Sequence, residues 1–277
     1  MRKVVDSNML QSEALRTYLY NSGKNYAVLT DYVAMEAYKG DDPSSIHRRM
    51  EVLATRPKQV IVLKGTQSIC GLRGRASGLQ RRMIDERQTR TFERYCRDLH
   101  DARNGNTKIQ EQLLNHAREA DAQMHRVLAD ATTIPEVLDG VAETYTEAEL
   151  RLLRTRAAFT EEIARKLVRN IARTAKRIFD DHPQVKTFPR QAELLNTFIF
   201  RFALCAHLWA VDWISVGGPQ RAKPERLRND MVDISFATYG TFFDGLLTED
   251  RKAAAIHRDA CQLLRVLQQA ATASTVR

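Results

Sequence analysis

Three short apolar runs punctuate the first quarter of the chain: Arg2-Lys-Val-Val-Asp6, Tyr26-Ala-Val-Leu-Thr30 and Val60-Ile-Val-Leu-Lys64. Their apolar residues are consecutive rather than alternating, the pattern of strands buried on both faces. Between them lie stretches with helical signals. Ser7 or Asn8 can cap a helix from Met9 to about Asn21, with Gly23 placed for a left-handed C-terminus. Asp31 can cap a second helix, Asp31 to Tyr38, stopped by Gly40, and Pro43 opens a third that runs to Ala54. Strand–helix–strand–helix–strand with continuous apolar strands predicts a parallel sheet covered by helices.

After Gly65 the pattern becomes helical. Gly71, Gly74 and Gly78 mark a basic loop, and helices are predicted near 79–103, 107–131, 135–155 and 157–181. The breaks fall at Asn104-Gly-Asn106, Thr132-Thr-Ile-Pro135 and His182-Pro183. In 157–181 the stripe Ile163, Leu167, Ile171, Ala175, Ile178 recurs at helical spacing, leaving Lys166, Arg169, Arg173, Lys176 and Arg177 on other faces. Residues 189–215 are far more apolar than the helices before them and predict a buried helix, with Phe198, Phe200, Trp209 and Trp213 in the core and Gly217-Gly-Pro219 ending it. A helix from Arg226 to about Tyr239, a strand from Phe243 to Thr248 and a last helix over about 251–270, frayed from Thr272, complete the chain. This arrangement predicts an α/β domain assembled from residues 1–66 and 222–277, with a short parallel four-stranded sheet and an all-helical insertion, 67–221.

Composition narrows the classes. The chain has 277 residues, ample for a buried core, and a net charge of +9, which favours a polyanionic partner. The charge is blocked: +5 over 67–108, −7 over 109–150 and +7 over 151–178. Such blocks suit either a basic binding track or an acidic helix lying on basic ones. Four cysteines stand without metal-ligand spacing and are expected reduced. The basic start turns acidic too soon for a secretory signal, and no run approaches the ~18 apolar residues of a membrane span, so the expectation is a cytoplasmic protein with no membrane partner. Neither GxxxxGK[ST] nor a strand-linked GxGxxG occurs, and the seven histidines lack zinc-site spacing.

The candidate chemistry lies in carboxylates. Asp6 ends the first strand; Glu36 sits about one and a half turns into the helix after the second. Asp230 and Asp233 share one face of the helix before the fourth strand, and Asp250 follows that strand. Ligands of open α/β sheets gather at the carboxyl ends of the strands. If strands one and four are neighbours, these acids meet there, with Thr30 and Thr248 within reach. Unneutralised, they would raise one another's pKa values. With Mg²⁺ or Mn²⁺ they become oxygen ligands able to position a water for attack on a phosphodiester. Arg73, Arg75, Arg81 and Arg82, after strand three, are the candidate phosphate-binding cluster. Asp31 is read as a helix cap only.

Val4-Val-Asp6-Ser-Asn8, Leu29-Thr-Asp-Tyr-Val-Ala-Met-Glu36, Asp233-Ile-Ser-Phe-Ala237 and Leu247-Thr-Glu-Asp250 resemble, in order and context, the motifs of the PIN-domain nucleases. The resemblance covers under half the chain. It implies a metal-dependent endonuclease, RNA favoured over DNA, leaving a 5′-phosphate, with Asp6, Glu36, Asp233 and Asp250 as catalytic metal ligands. Asp230, Asn229 and Thr248 would support them, and either aspartate of the 230/233 pair can take the third ligand place. Two departures stand out: the helical block is longer than the family's usual connection, and no fifth strand follows Asp250. Nucleases of this family often serve as toxins or defence effectors, which would make the block a surface for self-assembly or for an inhibitor. A second reading is a nucleic-acid-binding or assembly scaffold with a degenerate nuclease fold. The Asp-x-Asn of residues 6–8 also resembles the haloacid-dehalogenase phosphatases, but that family needs an aspartate where Asn8 stands.

Overall fold

Strands β1 (Arg2–Val5), β2 (Tyr26–Leu29), β3 (Val60–Val62) and β4 (Leu246–Leu247) form one parallel sheet in the order β3-β2-β1-β4. The computed structural model describes residues 1–38, 43–131, 140–155, 160–183, 185, 187–215 and 224–275. Val4 and Val5 are fully buried, as are Ala27 and Val28, so adjacent residues on opposite faces are both covered. The consecutive apolar runs require that covering. Val4 and Val5 align with Leu246 and Leu247, which brings the two distant parts of the chain side by side.

The helices are α1 (Glu13–Tyr20), α2 (Asp31–Ala37), α3 (Pro43–Ala54), α4 (Thr66–Cys70), α5 (Leu79–Met83), α6 (Glu86–Arg103), α7 (Thr107–Ala131), α8 (Glu147–Thr155), α9 (Glu161–Asp181), α10 (Gln191–Leu194), α11 (Phe198–Ser215), α12 (Pro224–Gly240) and α13 (Arg251–Thr275). The structure is mainly helical around a small sheet.

Several boundaries differ from the sequence reading, each for a local reason. Ser12, not Ser7 or Asn8, caps α1 by accepting from the Leu15 amide, because Ser7 and Asn8 form a short 3-10 turn and bond Asp6 instead. Gly23 lacks a positive φ, and α1 ends with Asn21 in a right-handed conformation. Thr30 rather than Asp31 caps α2. The predicted helix 79–103 breaks because Ile84 pairs with Leu63 and Asp85 caps α6 through the Gln88 amide at 2.8 Å. Thr197 separates α10 from α11 within the predicted 189–215 helix and accepts from the Phe200 amide. Strand four begins only after Gly245, whose φ of +136° suits glycine, so Phe243 and Asp244 belong to a turn. At the far end α13 continues to Thr275 without fraying at Thr272. The expected breaks at Gly40, Thr132–Pro135 and Gly217–Pro219, and residues 157–159, lie outside the described residues.

Helix α12 is a wedge between two cores. Val232, Phe236 and Tyr239 join the core of the sheet, together with Phe92 and Leu99 of α6 and Leu113 of α7. Leu227, Ile234 and Ala237 face a second core with Leu167 and Ile171 of α9, Leu204 and Trp209 of α11 and Leu264 of α13. Helix α11 corrects one expectation: by length and composition it could cross a membrane, but 67% of it is buried inside the protein, as a core helix would be. All four cysteines are free.

Candidate functional site

The parallel pairing of β1 with β4 sets the site. The Asp6 amide donates to the Leu247 carbonyl at 2.9 Å, so Asp6 and Thr248 leave the sheet abreast at its carboxyl edge. The Thr248 hydroxyl donates to Asp6 Oδ2 at 2.5 Å and accepts from the Asp250 amide at 2.9 Å. Asn8 Nδ2 donates to the same carboxylate oxygen at 2.8 Å, its Oδ1 accepts from the Glu249 amide, and Ser7 donates to Asp6 Oδ1. A single hydroxyl therefore links the carboxylate after β1 to the backbone after β4. Asp6 is only 2% exposed, and burial raises its carboxyl despite the bonds from Thr248, Asn8 and Ser7 that pull the other way.

Asp233 faces this edge from α12. Its carboxyl is pushed up to about 8, chiefly by burial and then by the charges of Asp6, Asp250, Asp230 and Glu36. Those four acids, from α2, α12 and the ends of β1 and β4, are thus close enough to act on one side chain. Among the described residues the carboxylates of Asp233 and Glu36 take no hydrogen bond or ion pair. Asp250 Oδ1 accepts from the Ala253 amide at 2.7 Å, so Asp250 does cap α13, while its Oδ2 has no partner among the described residues.

Asp230 is different. It is 7% exposed, and its Oδ2 accepts from Trp209 Nε1 and Trp213 Nε1, each at 2.9 Å, and from Lys252 Nζ at 2.8 Å. Lys252 also lies over both indole rings, 5.6 Å from the Trp209 centroid and 4.8 Å from that of Trp213. Asp230 ties α12 to α11 and α13, and it reaches Asp233 through its charge alone. Of the pair, Asp233 is the one left open. Asn229 is exposed and bonds Arg228, with no bond to the cluster. Thr30 is occupied in capping α2. Asp31 is held by the Thr66 amide (2.7 Å) and hydroxyl (2.8 Å), and that hydroxyl shares a hydrogen bond with Tyr239. It is a partly buried brace between the starts of α2 and α4, not a cap.

The arginine cluster does not gather at the carboxylates. Arg82 donates to the carbonyls of Arg73, Arg75 and Ser77, closing its own loop. Arg81 pairs with Glu86 at 3.5 Å in an exposed contact. Arg73 and Arg75 are exposed. Gln80, beside them, bonds Arg2 at the start of β1 and the Phe242 carbonyl before β4, which are the amino ends of those strands. Gly74 presses on the Glu193 carbonyl, where a Cβ would stand 1.9 Å away. The groups acting most strongly on Asp233 are all acidic, and none is one of these arginines.

Two contributors escaped the sequence reading. Asn8 was read as a helix cap or a missing aspartate, yet it orients Asp6; its spacing of two from Asp6 was the available signal. Lys252, two residues past Asp250, counter-charges Asp230 only because α12 and α13 pack together, which no local pattern reveals.

The donor chemistry suits a hard divalent cation: carboxylate oxygens, five of them without partners, and no compensating cation on Asp6, Glu36, Asp233 or Asp250 among the described residues. Also among the described residues, no group of three or more His, Cys, Asp or Glu side chains is disposed to hold one ion between them. Mg²⁺ keeps several waters and takes one or two carboxylates, so the set matches that mode rather than a closed protein cage. No family model, curated protein or solved structure matches the chain.

Proposed function

We propose that the chain is a Mg²⁺- or Mn²⁺-dependent endonuclease of PIN-like type, acting on RNA in preference to DNA. The observation that carries this reading is the link Asp6–Thr248–Asp250 across two adjacent parallel strands, with Asp233 facing it from α12. Asp6, Glu36, Asp233 and Asp250 would hold the metal, one or two of them directly and the others through its waters. When bound, the ion would supply a water of lowered pKa and stabilise charge on the attacked phosphodiester. Thr248 and Asn8 hold Asp6 in one orientation, and Asp230 keeps α12 in register through the two indoles. The order of the four motifs along the chain supports the same reading.

The test is to incubate purified protein with single- and double-stranded RNA and DNA in Mg²⁺, Mn²⁺ or EDTA, beside Asp6→Asn and Asp233→Asn. The expected result is cleavage in Mn²⁺ or Mg²⁺ and none in EDTA or by either variant, with unchanged circular dichroism. Cleavage that survives both substitutions rules the assignment out. A second reading is a scaffold that binds nucleic acid without turnover. That reading expects binding and no metal-dependent product in any arm.

A further inference from the structure

Residues 163–179 of α9 contain six basic side chains and no acidic one. Ile163, Leu167, Asn170, Ile171, Ala175 and Phe179 are buried, which turns the opposite side of the helix to solvent. Arg169, Arg173 and Arg177 stand four residues apart, all exposed, in one row along the outer face. Their basic neighbours are neutralised: Arg165 by Glu161 at 3.4 Å, Lys166 by Glu149 at 2.6 Å and Lys176 by Asp180 at 2.6 Å. Among the described residues the three arginines of the row have no acidic partner, and Asp181, one turn beyond Arg177, forms no ion pair with it. Helix α6 offers a contrast. It is as rich in arginine, but Arg94 and Arg97 each face an acid one turn away, Asp98 and Glu93. Arg87, Arg90 and Arg103, without an acidic partner among the described residues, form no row at uniform four-residue spacing. Like charges one turn apart mildly oppose helix formation, so the row does not serve the stability of the helix itself.

We propose that this row is a track for the phosphodiester backbone of a nucleic-acid strand. The row spans about 12 Å at 1.5 Å per residue. That length meets several phosphates at about one per 3.4 Å of strand. Guanidinium groups bind phosphate in a bidentate fork. The expectation of a basic track in 151–178 thus narrows to three residues, while among the described residues the acidic segment answers only Lys166. The proposal deepens the nuclease reading, since it names where the same substrate is held, but its test requires no catalysis.

The experiment measures fluorescence anisotropy of labelled single-stranded RNA, and of DNA of the same sequence, in EDTA from 0.05 to 1 M salt. The test variant carries Arg169→Ala, Arg173→Ala and Arg177→Ala. The control carries Arg94→Ala, Arg97→Ala and Arg258→Ala, three arginines that face acids, so both lose the same net charge. Alanine keeps the helices, and circular dichroism confirms it. Three lost phosphate contacts should flatten the slope of log K against log salt by about 2 and weaken binding at 0.1 M salt on the order of 100-fold. The control should bind like the parent protein. Equal weakening of both variants, no change in either, or no strand binding by the parent at 0.05 M salt overturns the proposal. Lost binding of labelled poly-glutamate with strand binding intact overturns it too, and identifies an acidic protein as the partner. Binding that behaves as expected without any metal-dependent cleavage upholds the track and rejects the nuclease reading.

Discussion

Replacing Asp233 by Asn should change how stability depends on pH. The Asp233 carboxyl lies at about 8, against 3.8 for an ordinary one. Because the folded-state value is raised, the folded chain keeps a proton over a range where the unfolded chain has lost it. Stability therefore falls as pH rises from about 4 to about 8, and the full loss is present above that. At ~1.4 kcal/mol for each tenfold change in proton affinity, the effect is bounded at roughly 6 kcal/mol. Partial exposure and water relaxation reduce it to roughly 2–3 kcal/mol. With ~2.1 cal/mol/K per residue of unfolding entropy, that corresponds to about 3–5 °C in Tm for a chain of this size. Asn has the same shape and no charge, so in EDTA the variant should gain 3–5 °C over the parent between pH 4.5 and pH 8. Differential scanning calorimetry at several pH values reads it. Adding Mg²⁺ at pH 8 should raise the Tm of the parent and leave the variant nearly unmoved. Parallel Tm–pH curves for the two proteins would refute the reasoning, because neither burial nor the four neighbouring acids would then raise the Asp233 carboxyl.

Thr248→Val keeps shape but removes the hydroxyl that orients Asp6; cleavage should drop about 10–100-fold, as losses behind metal ligands do, while the far-UV spectrum is unchanged. Rescue by Thr248→Ser checks that the hydroxyl is responsible. Asp230→Ala leaves Lys252 and two indole N–H groups without their acceptor and should cost about 3–5 kcal/mol in urea unfolding. Trp209 and Trp213 are the only tryptophans, so the same variant should shift the native emission spectrum; an unshifted spectrum would show that the bonds to Asp230 do not persist in solution. His207 is buried, shares a 2.9 Å hydrogen bond with Tyr145, and has its pKa pushed down to about 4 by burial. Its lowered value means stability is lost as pH falls from about 6.5 to 4, and His207→Gln should abolish that acid limb in denaturant titrations.

Much of this was open to a reading of the residues alone. Val4-Val and Val60-Ile-Val announce strands buried on both faces, because only such strands make consecutive side chains apolar. The stripe of α9 follows from helical period except at its end, where Phe179 rather than Ile178 is buried, and the structure leaves Arg169, Arg173 and Arg177 exposed as that period requires. The four acids were recognisable as a set because each stands at a strand end or on a helix next to one. Helix α5 was hidden, since the break at Ile84 arises from pairing with Leu63, twenty-one residues earlier.

What the chain could not reveal from its order is which polar side chains would find one another. Asp230 and Asp233 look alike in the sequence; packing gives one two indoles and an ammonium and leaves the other among like charges. Thr30 takes the capping role expected of Asp31, and Asp31 is drawn instead to Thr66, which arrives beside it at the start of α4. Arg82 turns to its own loop because three carbonyls there lie within reach. Secondary structure follows from short-range periodicity and sterics, which the sequence carries locally. Hydrogen-bond partners and pKa values depend on distances between residues far apart in the chain, and only the folded packing of α11, α12 and α13 against the sheet sets those distances.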